Sequence, residues 1–247
     1  MRWLDRLLGK GEAAPADIGD AMAEATAAVE RGDHAAALAI WGPLAHAGVA
    51  RAQNNVGACF AEGLGVERDP ALALSWLTLA AESGDPVGQR NLATLYFKGE
   101  GIAQDNGEAM RLYRLAAEQN DAPAQDMLSW MLLETGLEAD RPEALRWAQS
   151  AAEAGVASSM TRLGMIHHDA LGVERDAGLA AQWWRRGSEA GDPDAMAMLG
   201  AATLLGQGVD KDPARALALL LEAESNGSLL AAPFVKAARA AVAPAEA

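Results

Sequence analysis

Apolar and polar positions follow a helical period along this chain, in paired segments that recur every 36 residues. In residues 50–62, Val56 and Phe60 fall on one helical face, while Asn54, Ala58 and Ala61 fall on another. A loop carrying Gly63, Gly65 and Val66 follows, and a second helix is predicted over 70–82. The breaks have local causes. Asp69-Pro70 and Asp212-Pro213 offer a side-chain acceptor at the N-cap and a proline at N1, where no amide is missed. Asp85-Pro86 and Asp192-Pro193 do the same for two preceding-type helices. Gly84, Asn120, Gly155, Gly191 and Gly227 stand where helices should end, and each tolerates a left-handed backbone.

The period is carried by an aspartate with an alanine four residues later: Asp69/Ala73, Asp105/Ala109, Asp140/Ala144, Asp176/Ala180 and Asp212/Ala216. The aspartates are 36, 35, 36 and 36 residues apart. Such spacing predicts stacked supersecondary units and argues for a binding scaffold over a buried catalytic pocket. Five units result, 49–84, 85–120, 121–155, 156–191 and 192–227, each a helix A, a loop and a helix B. Residues 18–48 read as a capping helix pair or degenerate repeat, with helices over 18–31 and 34–47. Residues 228–242 read as a C-terminal capping helix, and 243–247 as a tail. At the other end, 1–10 form a short amphipathic segment with Trp3, Leu4, Leu7 and Leu8 on one face, and 11–17 a linker.

These residues resemble the Sel-1-like repeat (SLR) family, relatives of the tetratricopeptide repeat. The first unit carries Val56-Gly57, Phe60, Gly63-Leu64-Gly65-Val66, Asp69, Ala73, Trp76 and Ala80-Ala81. The second carries Leu92-Ala93, Tyr96, Gly99-Glu100-Gly101-Ile102, Asp105, Ala109 and Ala116-Ala117. The fourth has Leu163-Gly164, Gly172-Val173, Asp176, Ala180 and Trp183, and the fifth Leu199-Gly200, Gly206-Gln207-Gly208-Val209, Asp212 and Ala216. The resemblance spans about residues 33–227. It implies an all-α, right-handed α-α superhelix of antiparallel helix pairs. The third unit departs from the pattern: its loop is one residue short and reads Glu134-Thr135-Gly136-Leu137-Glu138. The aromatic position also drifts, to Leu132, His167 and Thr203 in the last three units. The small residues Gly57, Ala93, Ser129, Gly164 and Gly200 are expected to let helix B approach helix A, with Ala73 and Ala80 packing there. Trp183 takes the helix-B core position, which leaves Trp184 for the seam between repeats.

Charge and composition narrow the partner. The net charge is −14 and no basic stripe is present, which argues against nucleic acid. One cysteine, Cys59, excludes an intrachain disulfide. No apolar run reaches the roughly 20 residues that span a bilayer, and the chain reads as cytoplasmic. Weak docking of residues 1–10 on a membrane surface or in a partner's groove is a competing reading, but the segment is short, and a disordered or folded-back segment is the preferred one.

In the related tetratricopeptide fold helix A lines the concave surface, so the resemblance implies a protein or peptide partner there. The candidate contact residues are Asn54, Arg90, Thr94, Phe97, Lys98, Asp126, Trp130, Leu133, Met165 and His168. Phe97, Trp130 and Met165 are the expected anchors. The implied function is a non-enzymatic adaptor without a cofactor. A competing reading makes His167, His168 and Asp169 a metal-binding or enzymatic cluster. Neighbouring helical residues diverge by about 100°, so the two imidazoles do not converge on one ion. Cys59, on the core face of its helix, is expected to be an inert buried thiol.

Overall fold

A computed structural model of the chain describes residues 17–243. The amphipathic segment 1–10, most of the linker and the end of the tail lie outside the described residues. Thirteen α-helices and one 3₁₀ turn make up the secondary structure among the described residues, and no strand occurs there. An N-terminal pair, α1 (Ile18–Glu30) and α2 (His34–His46), precedes the repeats. Then come α3 (Ala50–Glu62) and α4 (Pro70–Glu82), α5 (Pro86–Lys98) and α6 (Asn106–Glu118), and α7 (Ala122–Glu134) and α8 (Arg141–Glu153). The series continues with α9 (Ala157–His168) and α10 (Ala177–Glu189), then α11 (Pro193–Leu205) and α12 (Pro213–Ser225). The last helix is α13 (Ala232–Val242). The described chain divides into two compact units, one ending at Ala124 and one beginning at Gln125.

The helices begin and end for the reasons their residues supply. Asp69 accepts the amides of Ala71 and Leu72 at 3.0 Å each, with Pro70 in the first turn. At the far end of α4, Gly84 turns left-handed and the Asp85 amide bonds back to the Ala80 carbonyl at 3.1 Å. The Asp85 side chain then accepts the Gly88 amide at 2.7 Å, so one residue closes a helix and opens the next. Asp192 repeats this double role between α10 and α11.

Four of the five A-to-B loops share one closure. The marker aspartate sends its amide nine residues back, to the carbonyl at the aromatic position: Asp69 to Phe60, Asp105 to Tyr96, Asp176 to His167 and Asp212 to Thr203, all at 2.9–3.0 Å. The third repeat differs. Its shortened loop forms the 3₁₀ turn Glu138–Asp140, and Asp140 makes no side-chain cap. The Leu132 carbonyl is taken instead by the Thr135 hydroxyl at 2.8 Å, and the same hydroxyl pairs with Asp140 at 2.7 Å.

The seam inside each repeat departs from the sequence expectation. Leu77 lies over Gly57, where a Cβ would sit 2.8 Å from its side chain, while the counterparts of Ala73 in the third and fifth repeats, Ala144 and Ala216, meet helix A through their carbonyls. Ala80 packs instead on Gly88 of the following helix A. Leu220 lies over Gly200 in the same way, and the indole of Trp184 lies over Gly164. Trp184 is 2% exposed and donates its indole N–H to the Thr161 carbonyl at 3.3 Å. Trp184 therefore fills the seam within its own repeat and also joins Leu199 and Ala202 of the next helix A in one buried cluster, while Trp183 is half-buried with the Arg186 guanidinium 4.3 Å over its ring. Residues four apart stack on one side of a helix, which is why the residue after the aligned tryptophan, one step round, meets helix A.

In the second unit α13 begins four residues later than expected and buries Val235 and Ala238. These join Ala197, Leu204 and Leu220 in one apolar cluster. Among the described residues no helix is long and apolar enough to cross a membrane.

Candidate partner-binding face

The helix-A face was expected to present its polar residues to a partner, but many of them bind the next repeat. In the first unit the Arg51 guanidinium pairs with Asp85 at 2.7 Å. Asn54 is 3% exposed, and its side-chain oxygen accepts from the Asn91 amide at 2.8 Å. Arg90 pairs with Asp121 at 2.9 Å. In the second unit Asp126 accepts from Ser158 at 3.0 Å and also from Ser159 and Arg162. Thr161 donates to Asp192 at 2.5 Å, and Ser228 donates to Asp194 at 2.6 Å. Asn54, Arg90 and Asp126 are thus rungs between consecutive A helices. A buried acceptor without its donor would cost more than the bond is worth, so these positions are committed to the frame.

The remaining candidates divide into covered and open ones. Thr94 shares its hydroxyl between the Arg90 carbonyl at 3.0 Å and the Tyr113 hydroxyl at 2.9 Å. Burial pushes the Tyr113 phenol up, a shift that the Thr94 bond partly offsets. Leu133 is packed against a core cluster of Ala148, Ala152, Met160, Leu163 and Ile166, so it belongs to the interior more than to the face. Phe97 and Trp130 are half-buried. Lys98 is exposed, 4.0 Å from Glu62. Met165 is 41% exposed. Its neighbour one turn on, His168, holds Asp169 through Nδ1 at 2.6 Å and lies 5.5 Å from the Trp184 ring.

In the first unit a cleft opens on this face. Ala58, Ala61, Leu77, Asn91, Thr94 and Leu95 line about 130 Å³, and Glu62, Arg68, Lys98 and Glu100 complete its wall. These four charged residues are exposed, and Arg68 pairs with Glu100 at 2.5 Å. The cleft exists because the helix-A positions 58 and 61 are alanines beside the larger Leu77 and Leu95. Its alanines were placed on the stripe by sequence, yet only the structure shows that their small size leaves a hollow.

The chemistry of the other candidates is quiet. His167 fills the aromatic position and lends its carbonyl to the loop closure. Among the described residues no three His, Cys, Asp or Glu side chains gather as a metal site. Cys59 is a buried free thiol, and burial pushes it up to about 11. It is therefore a poor nucleophile near neutrality.

Five consecutive segments, 50–85, 86–121, 122–156, 157–192 and 193–228, match the Sel1 repeat family model. This chain belongs to the Sel1 repeat family. Solved Sel1 structures resemble it closely. A Sel1 repeat protein from Oxalobacter formigenes is 33% identical with a TM-score of 0.77, over 85% of this chain and 86% of that one. The protective antigen c5321 of uropathogenic Escherichia coli, which displays an SLR fold, is 30% identical with a TM-score of 0.86, over 90% of this chain. The match covers 49% of c5321, so this Sel1 protein spans about half that antigen's length. A Sel1 repeat protein from Klebsiella pneumoniae, 20% identical over 81% of this chain and 97% of that one with a TM-score of 0.51, shares the fold alone. No curated protein matches this chain in sequence. The Sel1 repeat is in general a protein–protein interaction module.

Proposed function

We propose that this Sel1 repeat protein is a non-enzymatic scaffold that binds a protein or peptide segment on the helix-A faces of its repeats. The observation that supports this most is the cleft at Ala58, Ala61, Thr94 and Leu95, a hollow of about 130 Å³ with an apolar lining and charged walls. It has room for one small apolar side chain, and the surrounding frame is already hydrogen-bonded, so binding would cost little ordering. In the second unit the exposed Met165, one turn from His168, offers an apolar contact on the equivalent face. Phe97 and Trp130 add aromatic area on their own helices. The N-terminal pair and α13 act as caps of the array, and the single buried thiol suits a cytoplasmic protein.

Site-specific photo-crosslinking tests the placement. A benzophenone side chain at Ala61 or Met165 should capture the partner, whereas one at the exposed helix-B positions Leu79 or Leu115 should not. Capture from the helix-B positions alone would remove the proposal. Combined alanine substitution of Phe97, Trp130 and Met165 should weaken the crosslinked complex without lowering the melting temperature to the same degree.

A further inference from the structure

The hollow beside the A-to-B loop occurs in two repeats with different contents. In the first repeat Phe60, Val66, Asp69 and Leu72 line about 270 Å³. In the fifth, the equivalent Thr203, Val209, Asp212 and Arg215 line about 740 Å³, together with Leu199 and with Arg185 of α10. The fully buried Phe60 ring gives way to Thr203, which is 5% exposed. The Thr203 hydroxyl turns back to the Leu199 carbonyl at 2.7 Å and so does not reach into the hollow. Leu72 gives way to Arg215, and a glycine of the first pair, Gly42, aligns with Arg185. The loss of the Phe60 ring opens space, and the other two changes bring arginine side chains to the wall of the hollow.

The charges in this cavity are not evenly committed. Asp212 is spent on the helix start, where it accepts the Arg215 amide at 3.0 Å. Neither the Arg185 nor the Arg215 guanidinium has an ion-pair or hydrogen-bond partner among the described residues. Asp210 stands on the same wall and is exposed. The lining of this hollow is mostly polar, with Leu199 and Val209 as its apolar part, so its charged groups decide what it can hold. A guanidinium fork matches the geometry of a carboxylate, and two arginines line this hollow.

We infer that this pocket binds an aromatic carboxylate, with the ring in the space vacated by the repeat's aromatic residue and the carboxylate against Arg185 and Arg215. Leu199 and Val209 provide the apolar contact for the ring. Asp210 repels the carboxylate and so favours the arginine side for it. The ligand is either a free aromatic acid or the C-terminal aromatic residue of a peptide, since the two share this chemistry. The inference is independent of the helix-A reading, because none of its residues lines that cleft.

The test uses the full chain and calorimetric titration with three probes: 4-hydroxyphenylacetate, a tetrapeptide ending in phenylalanine with a free carboxylate, and the same peptide amidated. At least one carboxylate probe should bind saturably, and the amidated peptide at least about tenfold more weakly than the free-acid peptide, the loss expected for a charge-assisted hydrogen bond. Binding of the acid alone would assign a small molecule, and binding of the peptide alone a chain terminus. Replacing both Arg185 and Arg215 with alanine should reduce binding at least about tenfold. Thr203→Phe should abolish it while the far-ultraviolet dichroism stays unchanged, since Phe60 fits the equivalent position. Should that variant not fold, the arginine pair, which is on the surface, decides alone. The absence of saturable binding at millimolar probe, or binding unaffected by the arginine and Thr203 variants, would overturn the inference.

Discussion

In the fourth repeat a glycine on helix A, Gly164, receives the indole of Trp184. In the third the same position is Ser129, and the residue aligned with Trp184 is Ala148. Ser129 turns its hydroxyl to the Ala144 carbonyl across the seam at 2.8 Å. The loops differ as well. Asp176 caps α10 by accepting the Leu179 amide at 2.8 Å, whereas Asp140 serves Thr135. The two repeats reach one helix pairing by opposite division of volume: nothing and a large ring, or a small polar residue and a methyl group. The residue on one side of the seam limits what the other side can hold, and neither side is fixed alone.

That comparison can be broken experimentally. The largest effect is expected from Gly164→Ser, which makes the fourth repeat's helix A resemble the third. A Cβ there would stand 2.2 Å from the Trp184 indole nitrogen, and overpacking of this kind costs about 3 kcal/mol. Urea unfolding would read it, and adding Trp184→Ala to the same chain should return part of the loss. A Gly164→Ser variant as stable as the parent would show that volume is not shared across the seam. Next is Ser129→Gly, which removes the hydroxyl bond and places glycine inside a helix, for about 1–2 kcal/mol by the same measurement. Asp176→Ala should lose its cap and about 1 kcal/mol. The smallest change belongs to Asp140→Ala, within about 0.5 kcal/mol, because this aspartate caps nothing. Equal losses at Asp176 and Asp140 would contradict the account of the shortened loop.

The fold was legible because its signals are local. Asp69, Asp105, Asp176 and Asp212 announce helix starts through their own side chains, and Gly84 or Gly191 announces an end through its own backbone. Asp140 shows where this reasoning breaks: the residue type was kept while the loop lost a position, and only the geometry reveals that the cap is gone. The candidate face was less legible because it depends on residues about 36 positions away. Asn54 looks like a free polar residue until Asn91 is placed beside it, and Asp126 until Arg162 is. Trp184 was read at the seam between repeats, where it does join Leu199 and Ala202, but only packing shows that its indole also covers Gly164 within its own repeat. The fifth-repeat pocket had a sequence signal, Thr203 at the aromatic position, that was noted without asking what filled the missing volume.

The rungs between A helices have a consequence for how such a chain can grow or shrink. Arg51 reaches Asp85, Arg90 reaches Asp121, Thr161 reaches Asp192, and Ser228 meets Asp194. In the first two and the third of these, one repeat contributes the donor and the next contributes the aspartate at its own beginning. Among these three donor repeats only 85–120 carries a plug and a socket together, Arg90 and Asp85. The second repeat, with Asp85 at its start and Arg90 beyond it, can be duplicated without leaving a half-bond, whereas the first and fourth begin at Val49 and Val156 and offer no such acceptor, so the array tolerates growth at some joints and not at others.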